Sequence, residues 1–178
     1  MKSSVIEYQN SGSWLLWLQM DDSELLKNCK IDVYKGSGKG GQKKNKTSNA
    51  IRLTFAHLVT SSESSRSKGD NINEAIKKMR LEIALDVLGN VQLESRSNGF
   101  PSEIQNYLHK PLLRINHKNP HFPIFVAAFI DCYISCSGKW DQVGKKMGTT
   151  PSQLRKFAAK YGKIIETLHI LDQRFASK

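Results

Sequence analysis

The 178-residue sequence predicts an α+β fold: a small antiparallel sheet packed by one main helix with an extended Gly-Gly-Gln loop, followed by an all-helical C-terminal module. Three patterns carry this expectation. Two short stretches alternate apolar and polar residues, as half-buried strands do; they place Ile31 and Val33 against Asp32 and Tyr34, and Ile51, Leu53 and Phe55 on one face. Ile72, Ile76, Met79, Ile83 and Val87 then recur at helical spacing. From residue 121 onward, apolar runs alternate with Gly and Pro breaks at intervals that suit helices.

Taken in order, Trp14-Leu15-Leu16-Trp17-Leu18 is apolar but too short to anchor in a membrane, and it is expected to pack on the first domain. Asp21 or Asp22 can cap a short helix that runs to about Asn28 with Leu25 and Leu26 turned inward. Strands are predicted at Lys30 to Lys35, Ala50 to Phe55 and near His57 to Ser61, with the loop 36–48 between the first two. A serine-rich loop, Ser61 to Asp70, follows. Asn71 and Glu74 are spaced as a capping box for a helix to about Leu88, with Gly89 as its stop. Residues 90–120 read as a connector bracketing a short helix at Ser102 to Leu108.

The boundary is expected near 117, giving a domain over 1–117 and a helical module over 118–178. In that module, helices are predicted from Phe122 to Cys136 and from Lys139 to Met147. A turn at Gly148-Thr149-Thr150-Pro151 starts a third helix, with Thr150 as N-cap and Pro151 in its first position. Gly162 separates a last helix carrying Ile164, Ile165, Leu168 and Leu171 inward. Helix, Gly-containing turn and Pro-started helix make a helix-turn-helix pattern, a pattern that plain helical packing modules share.

The formal charge is +11, with a pI of about 9.6, so nucleic acid or an anionic surface is the expected partner class. Residues 1–117 carry 17 basic and 12 acidic residues and 118–178 carry 10 and 4, so both parts are basic. Cys29, Cys132 and Cys136 lack metal-ligand spacing, which suits buried thiols in a reducing compartment; Cys132 and Cys136 are one helical turn apart. The five histidines are scattered, and neither a metal site nor a cofactor is expected. Gly36-x-Gly38-x-Gly40 lacks the Gly-Lys-Ser/Thr that a phosphate loop needs. No run of 18 apolar residues occurs, and Met1 to Ser11 has no signal-like core. The expectation is a cytoplasmic, monomeric protein with no membrane partner.

The most specific stretch is Ser37-Gly38-Lys39-Gly40-Gly41-Gln42-Lys43-Lys44-Asn45-Lys46-Thr47. The loop around it has five lysines from Lys35 to Lys46 and no acid. Glycines let a backbone approach another molecule closely, and the lysines suit a polyanion. The string and the Ser48-Asn49-Ala50-Ile51-Arg52-Leu53-Thr54 after it resemble the catalytic domain of class I peptide chain release factors and related ribosome-rescue hydrolases. Ser65-Arg66-Ser67-Lys68 and Asn71 fall where that domain has an Arg-Ser-Gln-x-x-Asn segment. The resemblance covers roughly residues 27–90. Gly148 to Phe157 is similar to the tail of short bacterial release-factor-like proteins, a much less specific match.

The resemblance implies hydrolysis of the peptidyl-tRNA ester in the peptidyl transferase centre of the large ribosomal subunit. Gln42, with Gly41 and Gly40, would carry the chemistry. Lys39, Lys43, Lys44, Asn45, Lys46, Arg52, Arg66 and Ser67 would contact RNA, although Asn45 could bond the loop's own backbone instead and Arg52, Arg66 and Ser67 could equally brace the loop base. The partners implied are the ribosome, peptidyl-tRNA and a methyltransferase acting on Gln42. No stop-codon-reading motif is recognisable, the very basic tail of the short rescue hydrolases is missing, and Thr54 to Thr60 lacks the family's His-x-Pro-Thr-Gly turn. The expectation is therefore codon-independent release from stalled ribosomes. The alternatives are a non-catalytic ribosome- or RNA-binding factor and a helix-turn-helix DNA-binding regulator.

Overall fold

A computed structural model describes residues 14–35, 48–86, 99–110 and 112–177. The chain divides into two compact units, Met1–Ile83 and Ala84–Lys178.

In the first unit, helices α1 (Trp14–Gln19) and α2 (Asp22–Lys27) precede strand β1 (Lys30–Tyr34). Asp21 caps α2: its Oδ1 accepts from the Glu24 N–H at 2.8 Å. Strands β2 (Ala50–Phe55) and β3 (Leu58–Ser62) complete a three-stranded antiparallel sheet in the order β1-β2-β3. The alternation predicted for β2 holds, with Ile51, Leu53 and Phe55 buried and Arg52 exposed. Ile31 and Val33 pair with the buried Leu53 and Ile51, yet they stay 43% and 42% exposed on the edge strand. Ala56 takes φ 52 in the tight β2–β3 turn, where no Gly or Pro is present.

Helix α3 (Lys68–Leu85) buries Asn71, Ala75, Ile76, Met79 and Ile83. Ile76, Met79 and Ile83 of the expected stripe are buried and Ile72 is half-buried, while Val87 lies outside the described residues; the helix begins a turn early and the Asn71–Glu74 capping box does not form. Ser67 caps instead: its hydroxyl accepts from the Asp70 N–H at 3.2 Å and its carbonyl from the Asn71 N–H. Asn71 is fully buried, and its amide is worth more tying loops together than capping at the surface. The helix ends at Leu85, short of the expected end near Leu88, and the expected stop at Gly89 lies outside the described residues. Trp14, Trp17 and Leu18 are buried, Trp17 against Phe55 with ring centroids 4.9 Å apart, so the apolar N-terminal segment packs on this unit as expected. Arg80 of α3 fastens it, donating to the carbonyls of Leu18 (2.9 Å) and Met20 (2.6 Å) and pairing with Asp22.

The second unit comprises a 3-10 helix (Ser102–Tyr107) and helices α4 (Phe122–Ser135), α5 (Trp140–Met147), α6 (Pro151–Ala159) and α7 (Gly162–Ala176). Packing divides the chain earlier than the breaker residues near 117 suggest, because residues after the 3-10 helix bond to the helical core. The His109 N–H donates to the Met147 carbonyl, the Leu113 N–H to Gln153 Oε1, and Asn119 Nδ2 to the Tyr107 hydroxyl. Helix α4 is apolar on nearly every side, and Phe122, Ile124 through Ile130, Cys132 and Tyr133 are buried. Its aromatic rings meet Phe157 of α6, with Phe125 at 5.2 Å and Phe129 at 6.1 Å between centroids. The Tyr133 hydroxyl donates to Asp172 Oδ1 at 2.6 Å, which joins α4 to α7. Burial and that carboxylate push the Tyr133 phenol well above its ordinary pKa.

Two glycines shape the α5–α6 turn. Gly148 ends α5 in the left-handed region at φ 64. A Cβ on Gly144 would meet the Thr149 carbonyl oxygen at 2.7 Å, so only glycine lets the turn fold back on α5. Thr150 then caps α6, its hydroxyl accepting from the Gln153 N–H, and Pro151 opens the helix, both as expected. Among the described residues, no helix is long and apolar enough to cross a membrane.

Candidate functional site

The Gly-Gly-Gln loop joins β1 to β2. Tyr34 and Ala50 are register partners, so the chain leaves the sheet and returns to it at one strand pair. Residues 36–47 lie outside the described residues, and with them Lys39, Gly40, Gly41, Gln42, Lys43, Lys44, Asn45 and Lys46. What the structure describes is the base of the loop.

That base is a hydrogen-bonded knot. Asn49 Nδ2 donates to the Arg66 carbonyl at 2.7 Å, and Asn71 Nδ2 donates to the Asn49 carbonyl at 2.7 Å. Asn71 Nδ2 also donates to the Ser65 carbonyl at 2.9 Å. Asn71 Oδ1 accepts from the Ser65 N–H at 2.9 Å and from the Ser62 hydroxyl at 3.3 Å. One buried amide thus holds the end of β3, the serine loop and the start of β2 together. A buried amide must find partners for both ends, and this one does.

The three described candidates sit differently. Ser67 is engaged as the α3 cap and its N–H donates to Ser65 Oγ at 3.0 Å. Arg66 contributes its carbonyl to the knot, while the residue is exposed. Arg52 is exposed on β2, its guanidinium 5.2 Å from the centroid of the Tyr34 ring, a cation–π geometry next to the loop's entry. Arg52 and Tyr34 line a shallow polar groove with Ser61, Glu63, Ser64 and Lys78. Lys78 donates to the Ser61 carbonyl at 3.0 Å and pairs with Glu74 at 2.9 Å. The Ser64 hydroxyl bond and Lys78 hold the Glu74 carboxyl down to about 2.

Sequence reasoning missed Asn49 as an anchor and gave Asn71 the wrong task. The signal was present in an Asn placed in the first turn of a helix behind a serine-rich loop, since such an amide bonds local backbone readily.

Among the described residues, no group of three His, Cys, Asp or Glu is placed to hold a metal ion. Burial raises the Cys29 thiol to about 11 and the Cys132 thiol to about 12, so neither is a thiolate nucleophile at neutral pH.

Fold and loop base together define a domain that presents a long loop from a braced strand pair. Residues 21–107, just under half of the chain, match the RF-1 domain family model, so the chain carries a release-factor-like domain. Its relatives include peptide chain release factor 2 of Lactiplantibacillus plantarum, 28% identical over 127 residues, which are 64% of this chain and 34% of that protein. Peptide chain release factor 2 of Neorickettsia sennetsu is 35% identical over 122 residues, 61% of this chain and 33% of that protein. The same-named protein of Proteus mirabilis is 43% identical over 58 residues, 32% and 16% of the two chains. The chain spans about a third of the length of the first two relatives. No solved structure gives a significant match.

Proposed function

We propose that this protein hydrolyses the peptidyl-tRNA ester in the ribosomal peptidyl transferase centre and releases nascent chains from stalled ribosomes without reading a codon. The observation that carries the reading is the Ser37 to Thr47 string lying inside the matched RF-1 domain. The braced base at Asn49 and Asn71 supports it, because a loop delivered to a distant site needs a fixed origin.

Ester hydrolysis needs a placed water and a donor for the oxyanion. The Gln42 backbone N–H donates to that oxyanion or to the leaving 3′-hydroxyl, and its amide side chain narrows the space and positions the water. An amide is a poor base, so Gln42 works by placement and not by proton abstraction. Gly40 and Gly41 give the close backbone approach. Lys39, Lys43, Lys44 and Lys46 neutralise phosphates, with Asn45, Arg52 and Arg66 beside them. Ser67 belongs to the brace. Gln42 is the site at which a methyltransferase would act.

The test is release of labelled peptide from ribosomes stalled on truncated message and from large subunits. The wild-type chain should release peptide, and Gln42→Ala should slow release by about 10²–10³, the usual worth of one oxyanion donor. Binding to subunits should persist in Gln42→Ala. A folded wild-type protein that binds subunits but releases nothing in any ribosomal state would establish the non-catalytic alternative instead.

A further inference from the structure

Helix α6 carries a second basic surface, separate in the chain from the Gly-Gly-Gln loop. Ser152, Arg155, Lys156, Ala159 and Lys160 are all exposed, and their spacing puts them along one stripe of the helix. Three of the five are cations and the other two are small, so a partner can come close to the helix backbone between the charges. The opposite side, Leu154, Phe157 and Ala158, is buried in the unit's core. Between Asp141 and Glu166 the sequence has six basic residues and no acid. A solvated helix ordinarily mixes its signs for i,i+4 pairing, and this one does not.

The stripe is also rigidly presented. The α5–α6 turn is fixed by Gly144, Gly148 and the Thr150 cap, which makes α6 the second helix of a helix-turn-helix. The Arg155 guanidinium lies 5.2 Å from the centroid of the Trp140 ring of α5, which holds that side chain in place.

We propose that this face of α6 docks on double-helical RNA through its phosphates. The side chains argue for phosphate contact over base reading. Base edges are read chiefly by Asn, Gln, Asp or Glu, and by Arg or Lys aimed into a groove, with weaker contacts from Ser, Thr or Ala. The stripe has no amide and no carboxylate, and the helix's one amide, Gln153, accepts from the Leu113 N–H and the Thr149 hydroxyl. Arg155 lies over a ring, and Lys156 and Lys160 are point charges. Such a surface holds orientation on a duplex with little sequence choice. The preference for RNA over DNA rests on the proposed function. An A-form major groove does not admit a helix, so contact falls on the phosphates flanking the wide minor groove.

The test uses the full chain with three probes: a 20-base-pair RNA duplex, a DNA duplex of the same sequence, and large ribosomal subunits. Lys156→Glu/Lys160→Glu should weaken RNA-duplex binding by about tenfold or more and flatten its log–log salt dependence by about 1.8, the slope expected for two lost phosphate contacts on a duplex. Both positions are exposed, and an unchanged thermal unfolding curve confirms that the variant folds. Arg155→Lys, which keeps the charge and loses the planar stack, should cost less. RNA-duplex affinity unchanged by the double charge reversal overturns the proposal, as does tighter, sequence-selective binding to DNA. Gln42→Ala should leave duplex binding intact. If release fails while the charge reversal still weakens RNA-duplex binding, the hydrolase reading is lost and the docking face stands. If release occurs and duplex binding ignores the reversal, the outcome is the opposite.

Discussion

Asn71 is the residue on which the loop base turns. It is fully buried and its amide makes four hydrogen bonds, to Asn49, Ser62 and twice to Ser65. Asn71→Ala removes four hydrogen bonds from buried and half-buried groups, which costs about 2–3 kcal/mol, readable as a lower urea midpoint. Asn71→Asp keeps the acceptor but loses both donors, so it should also destabilise. Glu74 has a pH signature. Its folded pKa is held down to about 2 from an ordinary 4.5 by the Ser64 hydroxyl and Lys78. A depressed carboxylate contributes stability above about 4.5 and loses it as the pH falls toward 2. The Glu74 side chain is 40% exposed and screened, so the contribution is at most about 1 kcal/mol. The wild type should exceed Glu74→Gln in stability at pH 6, and the difference should vanish near pH 2.

At the scale of elements, the α5–α6 turn depends on its glycines. Gly144→Ala sets a methyl 2.7 Å from the Thr149 carbonyl oxygen, and that neighbour is backbone, with little room to give. Gly148→Ala combines φ 64 with a Cβ 2.6 Å from the His109 Cα. Each should destabilise the second unit by about 1–3 kcal/mol, seen as faster amide exchange through residues 140–160. These substitutions also shift α6, so duplex RNA binding should weaken with them although no charge is lost. The β2–β3 hairpin shows the contrary case. Its turn uses Ala56 at φ 52 where glycine would be easier, and the sheet forms regardless because Ile51, Leu53 and Phe55 are fully buried. Hairpin turns yield to the packing of the strands that they join.

At the scale of the whole molecule, charge is the governing property. The chain carries +11, with clusters in the loop 35–46 and in 145–163. Binding to ribosomal subunits should therefore weaken linearly in log–log plots against salt. Loop lysines and α6 lysines should each account for part of the slope, and removing both clusters should lower it further than either alone. A salt-independent affinity would show that apolar contacts, not phosphates, hold the complex.

The sequence by itself determined much of this protein. The sheet, the main helix stripe, the Thr150 cap and the four helices after residue 121 follow from periodicity and breaker residues, which act over a few positions. The Gly-Gly-Gln string named the chemistry to look for, because eleven consecutive residues are specific in a way that composition is not. The start of α3 was legible only in part: Ser67 and Asn71 are both good cap residues locally, and nothing local chooses between them. The tertiary structure chose, because Asn71 faces the core and satisfies Asn49, Ser62 and Ser65 from there. Tertiary packing likewise left Ile31 and Val33 half-open on an edge strand and drew residues 102–115 toward the helical unit. It also laid Arg155 over Trp140. Burial and long-range hydrogen bonds depend on partners tens of residues away, so local pattern cannot report them.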